Sequence, residues 1–191
     1  TVATIVDTVR QRAPDTVVVS GSLPPGLTTD AVDAVAAAGD WDTVVDMDGE
    51  ALRALEEGYA LCAPNRAELA RATDADTATV RGCARAADAF RDLGFDRVLA
   101  SLGADGVVLS GDSTALHAAA LDAEVVDTVG AGDAMLSGVL AAWDDGADDA
   151  TALRSGVAAA TRLVEQAGTS PPAFSDLDAL RERVTVRDLD G

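Results

Sequence analysis

The chain has 191 residues, 48% of them hydrophobic, with 33 acidic residues against 14 basic ones and a formal net charge of −19. That length and apolar content exclude a disordered chain and suit one domain with a packed core. A charge so negative argues against binding to nucleic acid or to an anionic membrane surface.

Val2, Ile5, Val6 and Val9 repeat with helical spacing, so the chain opens in a helix over 1–10. Thr16–Ser20 is a valine-rich strand, followed by the loop Ser20-Gly21-Ser22-Leu23-Pro24-Pro25-Gly26. Thr28 or Thr29 then caps a helix with Val32, Val35 and Ala36 on one face. Strands follow at 43–47 and Tyr59–Cys62, separated by a helix over 50–57, and further helices at 66–71 and 79–93. A fourth strand spans 96–102, Gly103-Ala104-Asp105-Gly106 is a tight turn, and Val107–Ser110 pairs back. Residues 116–120 and 124–126 read as short strands. Leu136, Val139, Leu140 and Trp143 form one helical face, and Asp148 or Asp149 caps an alanine-rich helix with Leu153, Val157, Ala160 and Val164 in line. A helix over 177–183 and a strand over 184–186 close the chain. Strands alternating with helices imply an α/β fold with a largely parallel sheet covered on both faces.

With aromatics at only 3%, the core must be built from Ala, Val and Leu, and all 14 cations are arginine. Asp is spread between apolar residues rather than gathered in a tail, which reads as the acid-coated surface that salt-rich cytoplasms favour; an ordinary acidic protein is the alternative. Cys62 and Cys83, 21 positions apart, match no metal spacing and are expected as reduced, buried thiols. The single His117 has no second histidine to work with and reads as structural. With no run of 18 apolar residues and no signal peptide ahead of the first helix, a cytoplasmic protein is expected.

The loop Asp127-Thr128-Val129-Gly130-Ala131-Gly132-Asp133 carries the chemistry. Glycines let backbone N–H groups converge, and the helix start behind them adds positive potential, so an anion such as phosphate is favoured there. A fixed carboxylate at Asp133 is out of place in a site that only holds phosphate. It fits a base that takes the proton of a hydroxyl attacking phosphorus. Three other loops belong at strand carboxyl ends. Gly21 and Ser22 can hold a hydroxylated or phosphorylated ligand. Asn65 and Glu68 can form a capping box, or Glu68 can hold Mg²⁺ through water. The stretch from Ser101 to Gly106 is either a nucleotide loop or a plain hairpin turn. No P-loop is present, and Gly130-Ala131-Gly132 meets Met135 where a dinucleotide fingerprint needs glycine. The patterns of α/β-hydrolases and of paired-histidine metal sites are also absent.

Taken together, these loops resemble the PfkB/ribokinase family of sugar kinases, nearest its 1-phosphofructokinase branch. The motif ending at Asp133 is the family's C-terminal signature. Ser20 to Gly26, Val44-Val45-Asp46 with Gly49-Glu50-Ala51-Leu52, Pro64-Asn65 with Glu68-Leu69, Ser101-Leu102-Gly103 with Gly106, and Gly168-Thr169 also match, from near residue 1 to near 186. The resemblance implies a ribokinase-like three-layer α/β/α fold and ATP-dependent phosphorylation of fructose 1-phosphate. The runners-up are 6-phosphofructokinase or tagatose-6-phosphate kinase activity, or a catalytically silent nucleotide-binding fragment. It implies Asp133 as base and the amides of Gly130, Ala131 and Gly132 as the anion hole. Gly21 and Ser22 would meet the substrate, with Ser22 on its existing phosphate. Asn65, Ser101, Gly103, Gly106 and Thr161 would line ATP, and Glu68 would hold Mg²⁺ through water. Asp127, Val129, Leu163, Gln166, Gly168 and Ser170 would surround K⁺. Ala63 stands where the family commonly has lysine. The chain is expected to be the C-terminal portion of such a kinase domain, without the sugar-binding aspartate and the β-lid on which the family often dimerises.

Overall fold

The computed structural model describes residues 1–73, 75–112, 114–167 and 177–189. They fall into two units, one drawn from the described residues within 1–100 and 110–113, the other from those within 101–109 and 114–191.

In the first unit four strands form a parallel ladder. β1 (Thr16–Ser20), β2 (Asp42–Asp46), β3 (Tyr59–Cys62) and β4 (Phe95–Ser101) pair in chain order, with Val18 opposite Val44, Val44 opposite Leu61, and Leu61 opposite Arg97. Thr43, Val44 and Val45 are buried in succession, as a strand covered on both faces requires. β1 is the edge, and Val18 is 47% exposed there. The helices are α1 (Val2–Arg12), α2 (Thr29–Ala36), α3 (Gly49–Arg53), α4 (Arg66–Ala72) and α5 (Val80–Arg91). Leu52, Leu61, Leu69, Leu99 and Val98 fill the core. The few aromatics gather, with the Tyr59 and Phe95 rings 5.7 Å apart and Phe90 and Phe95 6.0 Å apart.

Two details depart from the sequence reading. Thr28 stands at the N-cap of α2 but makes no side-chain cap bond, and Thr29 is already helical. α3 stops at Arg53 instead of running to 57, for a tertiary reason. The Asp33 carboxylate from α2 accepts from Glu56 N–H (3.0 Å), Glu57 N–H (3.1 Å) and the Tyr59 hydroxyl (2.6 Å). Those amides are therefore lost to a helical ladder.

In the second unit β5 (Val107–Ser110), β6 (Ala115–Ala118) and β7 (Val186–Asp188) are neighbours, β6 and β7 antiparallel with His117 opposite Arg187. α6 (Ala131–Asp144) and α7 (Asp149–Val164) pack closely where they cross, and α8 (Leu177–Arg181) packs on α7. A Cβ on Gly138 would sit 2.8 Å from Ser155 O, and one on Gly156 would sit 2.6 Å from Val139 Cγ2. Asp148 is the residue that caps α7, accepting from Thr151 N–H at 2.7 Å; the Thr151 side chain first, and then this N–H, hold its carboxyl below the ordinary value. On α6, Leu136 and Val139 are buried, whereas Leu140 and Trp143 are half-exposed. Residues 124–126 are not a strand. The N–H groups of Val126 and Asp127 both bond Val164 O, at 2.7 and 3.2 Å, which ties the segment to the end of α7. The last helix and strand are shifted, because Val184 N–H closes back on Arg181 O and the strand starts at Val186. The strands are mostly parallel and the class is α/β, as the alternation of elements predicted.

Candidate active site

Parallel strands bring their carboxyl ends to one edge of the ladder. At the end of β1, Gly21 turns away with φ 91°, its N–H bonded to Asp46 O at 2.9 Å. Ser22 follows, exposed. Leu27 N–H reaches Pro24 O at 3.1 Å and Gly26 has φ 89°, the geometry of a type II turn with Pro25 and Gly26 in its central positions. The Gly21–Ser22 step is thus held stiffly beside the end of β2.

At the end of β3, Asn65 caps α4. Its side chain accepts from Glu68 N–H at 3.0 Å, and Glu68 Oε2 accepts from Asn65 N–H at 2.8 Å, a complete capping box. Gly49 lies against this turn, where a Cβ would come within 3.2 Å of Glu68 Cβ. Glu68 is half-exposed, and its cap commits one oxygen. The remaining carboxylate lone pairs suit a water-held magnesium ion better than a direct protein cage. Among the described residues no three His, Cys, Asp or Glu side chains could hold a metal together.

In the second unit, the signature loop runs into α6. Asp127 Oδ1 accepts from Val129 N–H at 3.0 Å. Gly130 is left-handed at φ 80° and lies against α7, with Leu163 Cδ2 at 3.2 Å from where its Cβ would be. Ala131 N–H bonds Thr128 O at 3.2 Å. This leaves Gly132 and Asp133 as the first-turn amides without an acceptor among the described residues, and both residues are exposed. Nothing stands within 4 Å of the Cβ position of Gly132, so a ligand can approach that backbone closely. The Asp133 carboxylate stands in the same turn. An electropositive helix start, bare amides and a solvated carboxylate can together bind an anion and accept a proton beside it.

The Ser101–Gly106 stretch is a 3-10 turn over Gly103–Asp105, closed by Leu102 N–H to Gly106 O at 2.8 Å. A Cβ on Gly106 would fall 2.0 Å from Ala118 O. Thr161 is buried and donates its hydroxyl to Val157 O at 2.7 Å, so its proton is spent within α7. Near the signature, Leu163 O accepts from Gln166 N–H at 3.1 Å, Leu163 is buried, and Val129 is 60% exposed. Gly168 and Ser170 lie outside the described residues, as does Thr169 of the matching Gly168-Thr169 pair. Reasoning from sequence missed one contact, His117 Nε2 to Asp105 O at 2.7 Å. A lone histidine among alanines carries no signal for a bond made from a strand to a turn.

A family model described as pfkB family carbohydrate kinase matches residues 10–175. The chain is 51% identical over 173 residues to a 1-phosphofructokinase of Haloferax volcanii, a match that covers 91% of this chain and 57% of that protein. Among solved structures, phosphofructokinase-2 from Escherichia coli in complex with potassium matches with TM-score 0.86 at 25% identity, over 95% of this chain and 61% of that one. Arabidopsis thaliana ribokinase complexed with ribose and ATP matches with TM-score 0.76 at 26% identity, over 94% and 59%. The fold is ribokinase-like, and the chain spans less than two thirds of the length of these relatives.

Proposed function

The chain belongs to the pfkB family of carbohydrate kinases, and from that premise we propose that it is the C-terminal portion of an ATP-dependent phosphosugar kinase acting on fructose 1-phosphate. The observation that carries the reading is the first turn of α6, where the free amides of Gly132 and Asp133 adjoin an exposed carboxylate. Asp133 takes the proton of the sugar's primary hydroxyl as that oxygen attacks. The turn's amides, with the φ 80° at Gly130 aiming them, stabilise charge on the phosphoryl group in flight. Because Ala131 N–H is already engaged, Gly132 and Asp133 carry more of this work than Ala131. Gly21 and Ser22 bind the substrate, Ser22 through its existing phosphate. Asn65, Ser101, Gly103 and Gly106 line the nucleotide, and Thr161 supports that wall from within α7. When bound, MgATP supplies the transferable phosphoryl group. Glu68 holds the magnesium through water, and Asp127, Val129, Leu163, Gln166, Gly168 and Ser170 hold potassium. We place the protein in a salt-rich cytoplasm, as a homodimer in its full-length form.

The relative from Haloferax volcanii favours fructose 1-phosphate, and the likeness to phosphofructokinase-2 supports a second reading, transfer to fructose 6-phosphate or tagatose 6-phosphate. A third reading is a nucleotide-binding portion without turnover of its own. The test is MgATP-dependent phosphorylation of each sugar phosphate in concentrated KCl. It uses this chain and a chimera carrying the N-terminal portion of the Haloferax volcanii relative. Turnover with fructose 1-phosphate supports the proposal, nucleotide binding with turnover only in the chimera supports the third reading, and turnover in neither overturns the kinase assignment. In whichever form turns over, Asp133→Asn should lower turnover by about 10²–10⁴-fold with MgATP affinity unchanged; undiminished turnover removes Asp133 as the base.

A further inference from the structure

We propose that His117 is a positioning residue for the Gly103–Gly106 loop, which rests on the reading of that loop as a wall of the nucleotide site. His117 sits within β6, opposite Arg187 of β7. Its Nε2 lies 2.7 Å from the carbonyl oxygen of Asp105. A carbonyl can only accept, so Nε2 carries the proton, and both the Nε2–H tautomer and the cation meet that demand. Three bonds lie inside the turn: Leu102 N–H to Gly106 O at 2.8 Å, Gly106 N–H to Gly103 O at 3.0 Å, and Asp105 N–H to Leu102 O at 3.4 Å. They shape the turn, and the imidazole adds a side-chain tie from it to β6.

The two glycines show which side is held. Gly106 is pressed on the end of β6 and the residues after it, with Ala118 O at 2.0 Å and Ala120 N at 2.7 Å from the place of a Cβ, whereas Gly103 has nothing within 4 Å. The loop therefore has a fixed back and an open front, and His117 holds the back. It touches no ligand itself. It sets the height at which the backbone of Gly103 meets one.

The experiment titrates MgATP calorimetrically into wild type, His117→Leu, His117→Asn and His117→Gln, with thermal melts and amide exchange at Gly106 measured alongside. Leu removes the donor and Asn is too short to reach, so each should weaken MgATP binding roughly three- to tenfold, the worth of one hydrogen bond, and speed Gly106 exchange. Gln reaches as far as Nε2 and should restore both to within twofold. A merely structural histidine would shift the melting temperature and leave affinity alone. Folded Leu or Asn variants that bind as wild type does overturn the proposal. Should Leu not fold, Asn against Gln decides in the same way. A wild type that fails to bind MgATP also overturns it, and the Gly106 exchange contrast then shows that the ligand was wrong and not the tie.

Discussion

Burial first, and then the Asp33 carboxylate that accepts its proton, push the Tyr59 phenol far above its ordinary value. A folded phenol that holds its proton more tightly than the unfolded one adds stability in full below the unfolded value of about 10, and loses it as pH rises beyond. Thermal melts should therefore fall steeply above about pH 10, and Tyr59→Phe should flatten that fall. Tyr59 is the only tyrosine, so phenolate absorbance should appear together with unfolding and not before it. Gly106 makes a harder demand. At φ 89° and with Ala118 O at 2.0 Å from a Cβ, Gly106→Ala should remove about 3 kcal/mol or more, read from denaturant midpoints. The sequence displayed Asp133 and its glycines openly, because a local motif encodes them. It could not display the bond from Ala131 N–H to Thr128 O, or that from His117 to Asp105, because each depends on backbone angles or on where a strand meets a turn.

Among the elements, α6 and α7 hold the signature loop through their crossing at Gly138 and Gly156. By propensity alone, Gly156→Ala would gain up to about 1 kcal/mol. A new methyl would meet Val139 Cγ2 at 2.6 Å and Met135 O at 2.8 Å, both in the packed crossing. Overpacking of that kind removes about 1–3 kcal/mol, so net destabilisation is expected, measured by chemical denaturation. A stabilised Gly156→Ala would show that the helices can part without loss. The first two strands were plain in the sequence because β-branched runs between turn residues admit few other readings. The end of α3 was not, since a carboxylate on α2 takes its amides, and residues 124–126 misled because Val125 and Val126 look like strand while their segment is tied to α7. The capping box at Asn65 and Glu68 was legible as one of two readings, and it is present; the magnesium role it leaves room for belongs to chemistry that spacing cannot reveal.

For the molecule as a whole, 33 acids against 14 arginines mean that folding gathers like charge. Added salt shortens the range of that repulsion, from about 10 Å at 0.1 M to about 3 Å at 1 M. The melting temperature should rise across that interval of KCl; a flat or falling curve would show that ion pairs, such as Arg162 with Glu165 at 2.7 Å, outweigh the repulsion. This balance was readable from composition alone, and the partial span was expected from the resemblance, its size, 57% of the Haloferax volcanii protein, coming from comparison. The two cysteines open one more door. Cys62, its thiol pushed up by burial, and Cys83 are both wholly buried, and both stand in the first unit, while the second has none. A thiol reagent at neutral pH must then wait for the first unit to breathe, so its labelling rate is a built-in clock for that unit's opening, silent about the unit that carries Asp133.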